Sequence, residues 1–448
     1  MTLDMTKGPP ARLMIRFALP LLAGNLFQQL YNIADTLIVG RYLGREALAA
    51  VGSAFAIIVL VNSILIGLSM GAAVLFAQLF GAREYRKLKS AITMAAVFIF
   101  GITVILSAGT FFFTDGIISL YRMPPETLNY AGDYLRCIFA GLIFVSLYNF
   151  SANILRAQGD SKSPLFFLTA ACIINIILDF CFVLGFGMGV FGAALATVIA
   201  QAISGISCTI WTVKKLRFPE FKKSDHGFDR GLFSLVSRYA LLTAMQQSVM
   251  NFGIVLIQGL VNTFGAALMA AFAAGVKIDA FAYMPVQDFG NALATYTAQN
   301  TGAGHDDRVR SGLRWAALIS GIFSVFVSVL VFIFAESLIG IFLRDSDREV
   351  TAMGAQYLRI EGAFYALIGF LFLFYGFYRG LGRAGMSIIL TITSLGTRVL
   401  LAYSLAPGFG YKAIFWAIPI GWFLADLLGL LVWLKTRRSL RDDFSFSP

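Results

Sequence analysis

The sequence predicts an all-α polytopic membrane protein, with twelve transmembrane helices arranged as two pseudo-symmetric six-helix bundles. Three observations predict it. Only 13% of the 448 residues are charged and 58% are hydrophobic, where soluble chains carry about 25% charged residues, so there is too little charge for a water-facing surface. The apolar residues fall in long continuous stretches near the ~20 residues that cross a bilayer as a helix, not in the ~10-residue alternation of an outer-membrane barrel. The two halves of the chain also repeat one another.

The first apolar run, about 14–40, follows Lys7, Arg12 and Arg16 with no small-residue cleavage site, so it reads as a retained span and not a leader. Runs at about 48–78, 90–112, 134–155, 163–186 and 190–213 complete a first bundle. The only long polar connection runs from Lys214 to Arg230. Runs at about 234–261, 267–299, 315–335, 354–378, 386–405 and 412–434 then supply six more spans. The predicted division is an N-terminal bundle over 1–213, a cytoplasmic linker over 214–233, a C-terminal bundle over 234–435 and a cytoplasmic tail over 436–448.

Orientation follows from Lys and Arg. With the N-terminus inside, 25 of them fall on the cytoplasmic side and 6 outside (Arg41, Arg45, Arg122, Arg344, Arg348 and Lys412). That asymmetry predicts a multi-pass protein of the inner or plasma membrane with both termini in the cytoplasm. The same scatter of short basic clusters between apolar runs explains the net charge of +11 without nucleic acid.

The repeat is specific. Tyr134-Leu135-Arg136 returns as Tyr357-Leu358-Arg359, and Arg156-x-x-Gly159 returns as Arg379-x-x-Gly382 at the same shift along the chain. Ala77-Gln78-x-x-Gly81-Ala82 returns as Ala298-Gln299-x-x-Gly302-Ala303 at nearly that shift. Each half holds an even number of spans, so the halves share one orientation, as in transporters built from parallel repeats. Two fused bundles of this kind can enclose a complete central cavity in one chain, which predicts a functional monomer in membrane lipid.

Ionisable residues inside a bilayer are costly unless paired or hydrated, so each is a functional candidate. Counting about 1.5 Å per residue from the outer ends of the spans puts Asp35 about 9 Å deep, and Asp179 and Thr197 each about 12 Å deep. Asn175 lies one turn below Asp179. Two carboxylates, an amide and a hydroxyl make a hard-oxygen cluster suited to Na+ or to a shared proton; a structural hydrogen-bond network is the alternative. In the second half, Lys277, Asp279, Glu361 and Arg398 fall about 10–18 Å from the outer face, where opposite charges can form an ion-pair network that holds or gates the bundle; direct substrate or proton binding is the alternative. At the repeat shift, Arg398 occupies the place of Asn175 and Ala402 that of Asp179, so the first cluster is not duplicated. Pro20 is a candidate hinge in the first span. Asp288 and Asp426 lie deeper.

Other chemistries lack residues. No Gly-rich loop ends in Lys-Ser/Thr, so ATP is not the evident energy source. His226 and His305 are isolated in polar loops, and no nucleophile, base and orienter come together, so no enzyme and no cofactor are predicted. Cys137, Cys172, Cys181 and Cys208 lie in apolar runs without metal spacing and read as core filler.

The first-span Tyr31-Asn32-Ile33-Ala34-Asp35-Thr36, the stretches Gln78 to Ala82 and Arg156-Ala157-Gln158-Gly159-Asp160, the fifth-span Asn175-x-x-x-Asp179, and Gly187-x-Gly189-x-x-Gly192-Ala193-Ala194-Leu195-Ala196-Thr197 resemble a multidrug and toxic compound extrusion (MATE) transporter over essentially the whole chain. The resemblance implies export of amphipathic, often cationic small molecules by alternating access, in exchange for H+ or Na+. It also implies a cation site at Asp35, Asn175, Asp179 and Thr197, and bending at Pro20. A branch of the family is expected to hold sodium on acids of spans seven and ten, whereas span seven here carries Gln246 and Gln247. A lipid-linked oligosaccharide or polysaccharide flippase of the same superfamily is the alternative; it would need cationic groups for pyrophosphate, for which Lys277 and Arg398 are the candidates.

Overall fold

In a computed structural model, residues 3–121, 125–216, 229–342 and 348–439 are described. Most of the predicted linker, the end of the predicted tail, and Arg122, Arg344 and His226 lie outside them. Among the described residues the chain is helical throughout, with no strand.

In chain order the helices are α1 (Pro10–Tyr42), α2 (Arg45–Gly81), α3 (Tyr85–Phe112), α4 (Thr114–Leu120), α5 (Leu128–Ala140), α6 (Leu142–Ala157), α7 (Lys162–Asp179), α8 (Gly189–Lys215), α9 (Arg230–Asn262), α10 (Ala266–Gly302), α11 (Asp306–Gly340), α12 (Arg348–Gly362), α13 (Tyr365–Gly380), α14 (Ala384–Phe409) and α15 (Lys412–Ser439). Nine stretches among the described residues are long and apolar enough to cross a membrane, and the bent pairs α5–α6 and α12–α13 raise this to eleven. The remaining long helix, α1, has 33 residues, about 50 Å at 1.5 Å per residue. It is less apolar because it carries Asn25, Gln28, Gln29, Asn32 and Asp35.

The two bends are a repeat feature. The α5–α6 pair bends by 45° and the α12–α13 pair by 53°. The breaks fall at Gly141 and at Phe364, which are related by the same shift that carries Tyr134 onto Tyr357. Each bend divides what reads in sequence as one continuous apolar run.

The chain divides into two compact units. The first comprises Met1–Gly8, Ile15–Ser248 and Ala298–His305, so it includes the start of α9 and the end of α10. Here the repeated Gln-x-x-Gly motif explains itself. A Cβ on Gly81 would sit 2.0 Å from the Gln299 carbonyl oxygen, and one on Gly302 would sit 1.9 Å from that of Gln78. The two motifs pack against each other reciprocally, each glycine admitting the partner's backbone. Gly71 likewise admits α9, since its Cβ would lie 2.2 Å from the Tyr239 carbonyl oxygen.

An N-terminal arm closes this end of the unit. Met5 is fully buried; its N–H donates to Gln299 Oε1 at 2.9 Å, and its carbonyl accepts from Asn300 Nδ2 at 3.0 Å. Gln299 Nε2 donates in turn to the Ala157 carbonyl at 2.8 Å, and Leu3 N–H to that of Gly159 at 3.2 Å.

The second unit comprises Pro9–Met14, Val249–Thr297 and Asp306–Pro448. Within it α14 and α15 pack side by side, with Gly421 against the Ser394 carbonyl. The expectation of four core cysteines is corrected at one position: Cys172 and Cys208 are buried and Cys137 half-buried, but Cys181 is exposed, since it lies on the outward side of the turn that follows Asp179.

Candidate functional site

The first unit brings together the residues of the N-terminal cluster. Asp35 on α1, Asn175 and Asp179 on α7 and Thr197 on α8 are all buried, Asp179 completely. Asn175 lies one turn from Asp179 on the same helix face. Its side-chain amide spans the gap to α8: in the orientation that satisfies both ends, nitrogen donates to Asp179 Oδ2 at 3.2 Å and oxygen accepts from Thr197 Oγ1 at 3.3 Å.

Asp179 is the last α-helical residue of α7. The chain continues as a π-helical turn over Phe180–Gly185, a rare geometry that often marks functional positions. Gly187 and Gly189, at φ of 64° and 60°, then carry the chain through the left-handed region into α8. This tight return sets Thr197 opposite Asn175.

Each carboxyl keeps an unused oxygen: Asp35 Oδ1 and Asp179 Oδ1 are buried with no hydrogen-bond partner. Buried acceptors of this kind ordinarily find a partner. Free carboxyl oxygens of this kind suit a hard cation or a proton.

Two tyrosines that sequence reasoning did not assign to the cluster flank it. Tyr31, one turn before Asp35 on α1, lies within hydrogen-bonding reach of Thr197 and within electrostatic reach of both carboxyls. Tyr134 on α5 is within reach of the same two carboxyls. Tyr134 stood out in the sequence only as part of the repeat, although its repeat mate also faces an acid, as follows.

In the second unit, Asp279 on α10 is buried and held by phenols. Tyr357 Oη donates to Asp279 Oδ2 at 2.6 Å, and Tyr365 Oη donates to Asp279 Oδ1. The Glu361 carboxyl lies within electrostatic reach of Asp279. Gly275, one turn before Asp279, makes the space: a Cβ there would lie 2.3 Å from the Tyr357 ring. Arg398 on α14 is within electrostatic reach of Asp279, while its Nε is buried without a partner. Lys277 is not brought into this group. It is exposed, with its ammonium 5.8 Å from the Phe342 ring centroid. Two phenols, which the charge count could not reveal, therefore meet Asp279, with Glu361 and Arg398 within electrostatic reach of it and Lys277 apart. Pro20 lies within α1, half-buried.

Comparison with known proteins bears on the family. The chain is 28% identical over 398 residues to a probable multidrug resistance protein, YpnP of Bacillus subtilis, covering 87% of each chain. It is 23% identical over 445 residues to the multidrug export protein MepA of Staphylococcus aureus, covering 98% of this chain and 97% of that one. Its fold matches an outward-facing multidrug resistance MATE family transporter of the MOP superfamily, with a TM-score of 0.91 at 23% identity and 98% of each chain covered. The MatE family profile matches residues 20–181 and 240–404, one stretch carrying the Asp35–Asp179 cluster and the other the Asp279–Glu361 cluster, and the chain therefore belongs to the MatE family.

Proposed function

We propose that this protein is a secondary active multidrug exporter, moving amphipathic, often cationic compounds out of the cell by alternating access in exchange for H+ or Na+. The observation that carries the proposal is the Asp35–Asp179 cluster: two buried carboxyls with one unused oxygen each, inside a bundle of membrane-spanning helices. Relatives named for multidrug resistance support the substrate class.

The cluster's chemistry gives the coupling. Two carboxylates close together in a medium of low dielectric repel one another and lack solvation, so an arriving proton or Na+ stabilises the closed packing of α1 against α7 and α8. Loss of the ion favours hydration and opening. Asn175 and Thr197 complete the ion's oxygen shell, and Tyr31 and Tyr134 limit access to it. Pro20 removes one backbone hydrogen bond from α1, which makes that helix the hinge. Ion and substrate drive transport by preferring opposite-facing states, because a ligand that binds both states equally shifts nothing. The excess of Lys and Arg in one set of loops orients both termini to the cytoplasm, and a single chain works as a monomer in membrane lipid without a further cofactor.

The flippase alternative is not favoured. A pyrophosphate group would need cations clear of acids, whereas Arg398 is within electrostatic reach of Asp279 and Lys277 is exposed over Phe342.

The test is efflux of a fluorescent cationic dye from proteoliposomes of known orientation, with proton and sodium gradients imposed separately. Dye movement driven by one gradient establishes coupling and identifies the ion. Movement driven by neither contradicts the proposal.

A further inference from the structure

Asp426 is a carboxyl for which the proposed mechanism has no use. It lies within the apolar span Lys412–Lys435, between Phe423-Leu424-Ala425 and Leu427-Leu428, about 21 Å along the helix from Lys412 and about 13 Å from Lys435. It is 9% exposed, and both carboxyl oxygens are buried without a hydrogen-bond partner.

Its surroundings follow from the packing of α15. Gly421 rests on the Ser394 carbonyl and the two helices run antiparallel, so Asp426 lies level with Thr391 and Ser387 on α14. Both are fully buried. Their hydroxyls are committed elsewhere: Thr391 Oγ1 donates to the Ser387 carbonyl at 2.9 Å, and Ser387 Oγ to the Tyr375 carbonyl at 3.1 Å. On α13 the titratable group facing Asp426 is Tyr375, whose phenol also meets Thr391. Tyr378 donates to the Gly429 carbonyl, and Arg379 to Asn291. The charged group of α14 is Arg398, and those of α12 are Arg348, Glu349, Arg359 and Glu361. Arg348 and Glu349 are exposed at the start of α12 and Arg359 donates to Glu336; Glu361 and Arg398 belong to the Asp279 cluster, and by the same register Arg398 lies about 13 Å further along the membrane. Among the described residues no cation pairs with Asp426.

We propose that Asp426 is a proton-binding site of the second unit, separate from the Asp35–Asp179 cluster and occupied by a proton in this conformation. A carboxylate at this place would be an uncompensated charge in an apolar interior, which proteins avoid by protonation or pairing. Here pairing is absent. The proton leaves only when α13, α14 and α15 separate enough to admit water, so its release reports a change of conformation. The use of this site in transport rests on the exporter reading, but the protonation does not.

The experiment is infrared difference spectroscopy on the full chain in lipid nanodiscs, reading the C=O stretch of a protonated carboxylic acid at neutral pH. The expected result is a band that persists in Asp35→Asn, is lost in Asp426→Asn, and changes when tetraphenylphosphonium is added to the wild type. Asp426→Glu keeps the band at a shifted frequency, which guards against a misfolded Asn variant. An unchanged band in Asp426→Asn overturns the protonation, and a band indifferent to tetraphenylphosphonium overturns its link to transport. Failure of the exporter reading is separately visible as the absence of gradient-driven dye movement in the wild type.

Discussion

The Arg136 guanidinium donates to both oxygens of Asp115 at 2.7 Å, tying α5 to α4 just before the bend at Gly141. The second unit repeats the arrangement, with Arg359 donating to Glu336 at 3.0 Å ahead of the bend at Phe364. The two arginines are repeat mates and the two acids keep nearly the same shift, so the pair persists although Asp has become Glu. All four side chains are exposed.

Because of that exposure, each pair contributes only about 0.2–1 kcal/mol. A double-mutant cycle on Arg136→Gln and Asp115→Asn, followed by thermal unfolding in detergent, gives a coupling in that range. Raising the salt concentration reduces it.

Gly275→Ala destabilises the second unit. The added Cβ would meet the buried Tyr357 ring at 2.3 Å, and overpacking a filled interior costs about 1–3 kcal/mol. Because Tyr357 also donates to Asp279, Gly275→Ala lowers the unfolding temperature at least as far as Tyr357→Phe, which removes only the hydroxyl.

Gln299→Ala releases the N-terminal arm. It leaves the fully buried Met5 N–H without its acceptor, a loss of about 1–3 kcal/mol. Limited proteolysis then cleaves the arm faster than in the wild type.

Asp160, in the turn between α6 and α7, supplies a pH prediction. Burial disfavours its charge, but hydrogen bonds from Lys215 and Ser163 outweigh burial and hold the carboxyl below its ordinary value of 3.8. A carboxyl with a depressed folded value contributes stability above the unfolded value and loses it as pH falls through the folded one. The difference in unfolding temperature between wild type and Asp160→Asn is therefore constant at neutral pH and narrows only below pH 3.8.

Much of this architecture is legible in the sequence because membrane burial writes itself as long apolar runs. Asp35, Asn175, Asp179 and Thr197 could be brought together by counting helical rise, since straight helices turn sequence distance into depth. Bends interrupt that reckoning, and nothing in the apolar runs around Gly141 and Phe364 announces one. Lateral direction was hidden as well. Lys277 and Asp279 are two positions apart on α10, so they point to different faces, and only Asp279 meets Tyr357 and Tyr365. The role of Gly275 appears only once a neighbouring ring is seen over it.

The central claim is that the Asp35–Asp179 cluster couples ion entry to substrate export. It is tested most directly by reconstituting wild type and Asp35→Asn side by side, and comparing gradient-driven dye accumulation with dye exchange at equal ion concentrations. The predicted result is that Asp35→Asn loses accumulation to the background of empty liposomes while retaining dye binding and a wild-type unfolding temperature. Accumulation at the wild-type rate in Asp35→Asn would contradict it.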